Sequence, residues 1–162
     1  MITLRTVPVE QWHIGRDIRL AALAGSPPGT FGSTFDEAAT WPDRQWRQWV
    51  SDRVLVVAER AGGVVGSAAL VHNAEDGPLL VSMWVDPSAR GTGASDRLVD
   101  AVVGAARAAG HDELRLWVLE GNRGAEALYE RMGFRRTGRS RPCSVADSRI
   151  ETEMLRALLP DA

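Results

Sequence analysis

Residues 79–110 read LLVSMWVDPSARGTGASDRLVDAVVGAARAAG, and a change of periodicity inside this stretch decides the fold. Leu79 to Val85 is an apolar run of strand length. Arg90-Gly91-Thr92-Gly93-Ala94-Ser95 is a glycine-rich turn. Beyond it Leu98, Val99, Val102, Val103 and Ala106 recur at three- and four-residue spacing, an amphipathic helix stopped by Gly110. This order sets the unpaired N–H groups of a helix start, and the positive end of its dipole, at the end of a strand. Gly91 and Gly93 let the chain bend so that several N–H groups converge on one anion, and Arg90 adds a forked cation suited to phosphate oxygens. Taken alone, the turn reads about equally as a phosphate site and as a plain strand-to-helix turn. It lacks the Gly-Lys-Ser/Thr of a P-loop, and its Gly-x-Gly-x-Ser spacing departs from the dinucleotide fingerprint. Gly104 costs this helix about 1 kcal/mol against alanine, which the sequence explains by a close packing neighbour.

Outward from that stretch, the pattern predicts a first strand over Ile2 to Thr6 and a helix from Pro8 to about Ala24, ended by the Gly25–Gly29 punctuation. A second helix is predicted from Pro42, as a first-turn residue, to about Asp52, with Trp46, Trp49 and Val50 packing it against a sheet. Val54 to Glu59 and Val64 to His72 form a hairpin, and Leu79 to Val85 is the fourth strand. Downstream, Glu113 to Leu119 is a fifth strand, and Asn122 to Met132 a helix with Asn122 as N-cap and Gly133 as its stop. Phe134 to Thr137 and Ser148 to Leu155 are the last strands. The sum is a mixed α/β sheet with helices on both faces.

Composition narrows the function. The 162 residues suffice for one domain, expected over 1–162. A net charge of −2 supplies no field for nucleic acid or an anionic membrane, and no apolar run reaches membrane-spanning length. Cys143 is the only cysteine, so neither an internal disulfide nor a cysteine metal cluster can form, and no metal is expected. The protein is read as cytoplasmic.

A second motif gives the phosphate turn its meaning. Asn122-x-x-Ala125-x-x-Leu128-Tyr129-Glu130-Arg131-Met132-Gly133-Phe134 follows a strand at the expected distance. Together the two segments resemble the GNAT superfamily of acetyl-CoA-dependent N-acyltransferases. The family's first motif, Arg/Gln-x-x-Gly-x-Gly/Ala, is matched by Arg90, Gly93 and, with a serine in the last place, Ser95. The resemblance implies a mostly antiparallel sheet of about six to seven strands, splayed between strands 4 and 5 and flanked by about four helices. It implies acetyl-CoA as acyl donor. Its pyrophosphate would lie on Arg90, Gly91, Thr92, Gly93, Ala94 and Ser95, and its pantetheine arm would pair with Met83, Trp84 and Val85. Asn122 and Ala125 would border that arm. Tyr129 would protonate the departing thiolate as general acid. Asp96, beside the phosphate turn, should repel the pyrophosphate unless Arg90 and Arg97 offset it or it points outward. A homodimer is among the assemblies that the resemblance implies.

The acceptor side is less determined. Many relatives carry a glutamate on the fourth strand as base, but residues 79–85 hold no Glu, Asp or His. Glu37 is the residue named as base, with Asp36, His72, Glu120 or a held water as alternatives. Phe31, Phe35, Asp36 and Glu37 are assigned to the acceptor wall, since aromatic rings and carboxylates together suit a cationic amine. The arginines at 135, 136, 139 and 141 are read as a solvated face, with a site for the 3′-phosphate of CoA or for an acidic substrate as the alternative. The expected activity is acetyl transfer to a primary amine of a small molecule. The alternatives are a non-catalytic acyl-CoA sensor or interaction module, and a protein N-terminal or lysine acetyltransferase.

Overall fold

The computed structural model of the chain describes residues 1–26, 34–144 and 147–158. Seven strands form one sheet: β1 (Thr3–Thr6), β2 (Val54–Arg60), β3 (Gly63–Asn73), β4 (Gly77–Val85), β5 (Glu113–Leu119), β6 (Arg135–Pro142) and β7 (Ile150–Ala157), in spatial order β1-β2-β3-β4-β5-β7-β6. Neighbours are antiparallel except β4 and β5. Among the described residues five α-helices accompany it: α1 (Trp12–Ala24), α2 (Phe35–Ala38), α3 (Asp43–Ser51), α4 (Ala94–Ala108) and α5 (Arg123–Arg131).

Strand alternation divides the core into two layers. Val56 and Ala58 of β2 face one side, where Leu80 and the β5 residues Leu114, Leu116 and Val118 join Leu98, Val99, Val102, Val103 and Ala106 of α4. Tyr129 and Phe134 belong to this layer. Leu55 and Val57 face the other side, where Ile18 and Ala22 of α1 and Val50 of α3 meet Ala69 and Trp84. Each fully buried Leu or Val contributes about 1.5–3 kcal/mol, so both helical layers are held by the pattern that predicted them.

Several local expectations shift. Pro8 precedes a 3₁₀ turn over Val9–Gln11, and α1 starts only at Trp12. Pro42 is the N-cap of α3, not its first helical residue. The four longer helices are joined by the short α2, which begins with a reciprocal capping box: Glu37 N–H donates to Thr34 Oγ1 at 3.2 Å, and Thr34 N–H to the Glu37 carboxylate at 3.4 Å. β6 runs to Pro142 and β7 starts at Ile150. Their apolar content is low because both lie toward the sheet's edge. β6 is the outer strand, with only Arg141 partly buried, and its ladder shifts between Arg136 and Ser140 around Gly138 at φ +92°.

Gly104 has no packing neighbour. A Cβ built there meets nothing within 4 Å, and the position is exposed. Gly104→Ala is therefore expected to stabilise the chain by about 0.5–1 kcal/mol, seen as a raised midpoint in urea unfolding.

Two irregularities prepare the site. Ser67 of β3 lies opposite Trp84 and Ala69 opposite Val81, so two residues of β4, Ser82 and Met83, oppose the single Ala68. At this bulge Ser82 takes φ +57°, the one non-glycine residue with positive φ among those described. Such a conformation costs about 1–3 kcal/mol and persists where its surroundings fix it. Here Ser67 Oγ donates to the Ser82 carbonyl at 2.8 Å, and Arg53 Nη1 to Ser82 Oγ at 3.4 Å. The second irregularity is the parallel pair. β4 and β5 are bridged only at Leu79 and Arg115, whereas β5 pairs with β7 along its whole length. Beyond Leu79 the two strands part, leaving about 20 Å of β4 through Val85 without a partner on that side.

Candidate active site

The glycine turn stands at the open end of this split. Gly91 and Gly93 have φ +80° and +84°, and Gly93 caps α4 without any side chain of its own. The first backbone bond of the helix runs from Arg97 N–H to the Gly93 carbonyl at 3.2 Å, so the N–H groups of Ser95 and Asp96 have no intrahelical acceptor. Thr92 Oγ1 is tied to the Ala89 carbonyl at 2.5 Å and receives Ala94 N–H at 3.4 Å, which fixes the turn's shape. Arg90 is exposed, its Nε 3.4 Å from the Val85 carbonyl.

Asp96 does not burden this anion site. Arg131 of α5 donates to both its oxygens, at 2.6 and 3.4 Å, and this pair holds the guanidinium's pKa above its ordinary value. Arg131, not Arg90 or Arg97, offsets the carboxylate. Arg97 instead donates to the Ile2 carbonyl.

The motif on α5 is built by its cap. Asn122 Oδ1 accepts from Ala125 N–H at 3.3 Å, and Gly133, at φ +92°, stops the helix. Asn122, Ala125 and Tyr129 follow at spacings of three and four, so they share one helix face, with about 10 Å of rise from the first to the last. Tyr129 is 8% exposed and meets Phe134 edge-on at 5.9 Å between ring centroids. Its hydroxyl has no hydrogen-bond partner among the described residues, and burial pushes its pKa well above the usual tyrosine value. The phenol thus keeps its proton throughout the neutral range.

A cavity of about 720 Å³ occupies the split end of the sheet, lined by Arg90, Leu119, Glu120 and Asn122 together with Gly25, Ser26 and residues 148–150. The structure brings Arg90 and Asn122 of the two motifs to one cavity and adds Glu120 to its wall. Met83 and Val85 pack toward the α4 layer, while Trp84 lies in the α1–α3 layer. Trp84 Nε1 is buried without a partner among the described residues, beside Gly25.

The remaining candidates fall elsewhere. Phe31 lies outside the described residues. Phe35 is 42% exposed, and Asp36 and Glu37 are exposed on α2, the Glu37 carboxylate being engaged in the capping box. His72 pairs with Pro78 at the closed end of β4, its ring 5.6 Å from that of His111. That is six residues, about 20 Å, from Trp84. Trp46 is 2% exposed between Trp41 and Trp49, as core residues. The β6 arginines lie on an exposed strand, and three of them are ion-paired there. Arg139 and Arg141 pair with Glu153, Asp76 and Glu151 and lie over Trp117, and Arg136 pairs with Glu126 at 2.9 Å. Sequence reading missed the Ser82 bulge and Arg53 beneath it. The Thr34-x-x-Glu37 spacing was a readable capping-box signal.

Comparison with known proteins follows the same lines. Superposition on an acetyltransferase of the GNAT family from Streptococcus pneumoniae gives a TM-score of 0.79 at 13% identity over 97% of this chain and 99% of that one. The yncA structure from Salmonella typhimurium, determined with its cofactor acetyl-CoA, gives 0.77 at 18% identity over 100% and 96%. These likenesses concern the fold. In sequence, a mycothiol acetyltransferase of Beutenbergia cavernae is 34% identical over 77% of this chain and 54% of its own length, so the chain spans about half of that relative. No helix among the described residues is long and apolar enough to cross a membrane. The acetyltransferase (GNAT) family profile matches residues 21–134, from within α1 to the third residue after α5. With the split sheet, the glycine turn and the capped α5 all inside that span, the chain belongs to the acetyltransferase (GNAT) family.

Proposed function

We infer that the chain is one catalytic unit that transfers an acetyl group from acetyl-CoA to a primary amine of a small molecule. The observation that carries this reading is the 720 Å³ cavity, where the arginine of the phosphate turn, the cap of α5 and a carboxylate meet at the split between β4 and β5. The N–H groups of Gly91 to Ser95 and the Arg90 guanidinium receive the pyrophosphate. The unpaired edge of Met83, Trp84 and Val85 receives the pantetheine amides, and an N–H there polarises the thioester carbonyl. Asn122 and Ala125 border the arm.

The amine nitrogen attacks the carbonyl carbon, and the carbon–sulfur bond breaks. Tyr129 Oη protonates the leaving thiolate, and the surplus proton on nitrogen passes to Glu120, directly or through water. Glu120 takes this role ahead of Glu37 because it lines the cavity, while Glu37 caps α2. Phe35 and Asp36 are left as outer contacts of the acceptor. A small-molecule acceptor is favoured over a protein terminus or lysine because the Beutenbergia cavernae relative is named for mycothiol.

The test is release of free CoA thiol from acetyl-CoA across a broad panel of primary amines, including aminoglycosides, amino sugars and amino acids. Amine-dependent release supports the reading. Tight acetyl-CoA binding without release from any amine returns the sensor alternative. On the donor side, Gly93→Val forces a β-branched residue into φ +84°. The strain of about 1–2 kcal/mol is expected to weaken acetyl-CoA binding about tenfold by calorimetry.

A further inference from the structure

We propose that Arg53, held beneath the β4 bulge, binds a carboxylate carried by the acceptor, so that the acceptor class is amino acids or other amines bearing an acid group. This rests on the acetyl-transfer reading above and names the substrate class for the same site.

Arg53 is built into place. Its Nε donates to the Trp49 carbonyl at 2.7 Å, its Cζ lies 3.9 Å from the centroid of the Trp49 ring, and its Nη1 reaches Ser82 Oγ at 3.4 Å. Stacking and two bonds fix the plane of the fork, a preorganisation suited to a planar anion. Ser82 is the residue before Met83–Val85, the segment assigned to the pantetheine arm. The Arg53 fork therefore reaches the residue next to that segment, while Arg53 also lines a second cavity of about 230 Å³ with His72 and His111.

The charge of Arg53 is the one at issue. Among the described residues Arg53 forms no ion pair. Asp52, next in the chain, is exposed and receives Gln48 Nε2 at 2.6 Å. Arg19 stands on the other side of the arrangement, 5.6 Å from the centroid of the same Trp49 ring and 9% exposed. Burial and the neighbouring Arg19 lower the pKa of Arg53 to about 10, so the cation persists at neutral pH against a desolvation cost.

The contrast with the neighbouring strands sharpens the point. Arg115, Trp117 and Leu119 of β5 alternate away from the α4 layer, onto the same face as Arg53. On that face Arg139 and Arg115 are matched by Glu153, and Arg141 by Glu151 and Asp76. A free amine alone would gain nothing from Arg53 and would be repelled by it. An amine whose carboxylate forks onto Arg53 places its nitrogen toward the thioester. It also completes a charge-assisted pair in a partly desolvated place. This inverts the arrangement in which a strand-4 acid meets the amine, and it accounts for the absence of any acid on β4.

Binding and turnover are measured separately. Calorimetry on the CoA-loaded protein compares a series of N-acetylated amino acids with their carboxamides. The free acids are expected to bind at least about tenfold more tightly, the usual worth of a hydrogen-bonded charge. Arg53→Gln is expected to erase that preference while acetyl-CoA affinity is retained. Arg53→Lys, which keeps a cation, retains part of the preference and serves if the glutamine variant loses its fold by circular dichroism. Equal binding of acid and amide, including detectable binding of neither, overturns the proposal, as does an undiminished preference in Arg53→Gln. Failure of the acetyl-transfer reading looks different: no thiol release from any amine, whatever the acids and amides do.

Discussion

Tyr129→Phe lowers kcat by about 10²–10⁴-fold, the usual worth of a positioned general acid, while acetyl-CoA affinity stays near that of the unaltered chain. The ring lies in the α4 layer against Phe134, and the substitution keeps that ring. Only the hydroxyl is removed, and it makes no hydrogen bond to the described residues. Fold and stability therefore change little, so lost turnover reports on chemistry. Single-turnover acetyl transfer, with acetyl-CoA affinity by calorimetry, checks both halves. Unchanged turnover would remove Tyr129 from the mechanism.

The same group carries a pH signature. Burial raises its pKa above the ordinary 10.0. The folded state then holds this proton at pH values where the unfolded chain has lost it. The neutral phenol's advantage is fully present below about pH 10 and is lost as pH rises toward the folded value. Urea midpoints of the unaltered chain are expected to fall above pH 10, and Tyr129→Phe to flatten that decline.

The second large effect is on stability. Phe134 is 0% exposed and receives the edge of Tyr129 while following the helix stop at Gly133. Phe134→Ala is expected to cost about 3–5 kcal/mol through lost burial and the cavity left behind. That corresponds to a fall of about 6–20 °C in Tm for a chain of this size. Because Tyr129 rests on this ring, kcat should fall at temperatures where the variant is still folded. Acetyl-CoA affinity, set at the far end of α5 and in the glycine turn, should fall much less. Differential scanning calorimetry with the transfer assay at 15 °C separates the two losses.

What was legible in the sequence was local. The apolar run 79–85, the glycines at 91 and 93, the Asn122 cap and the Gly133 stop each encode their conformation within a few residues, and each sits where it was read. What depends on distant partners was not legible. β7 enters between β5 and β6, so Arg135–Pro142 is an edge strand in which Arg139 and Arg141 are matched by acids from β7 and the β3–β4 turn, and Arg136 by Glu126 of α5. A one-dimensional reading sees only a basic run. The bulge at Ser82 arises from a register set by β3, and nothing in Leu-Val-Ser-Met marks it. Arg53 looks like a loop residue until Trp49 and Ser82 close around it. The proposed donor residues lie in contiguous motifs, whereas Arg53, Trp49 and Ser82 come from separate elements and meet only in the folded chain.

β6 also has a bearing on how copies of the chain meet. An outer strand offers its spare N–H and C=O groups to any other strand that approaches. Here the ladder is broken around Gly138, and four arginines lie along the strand. A strand brought alongside would meet a kink instead of a straight edge. The opposite border of the sheet, β1, is only four residues long. The sheet therefore resists growth by edge-to-edge addition, and ribbon-like aggregation is opposed at both ends.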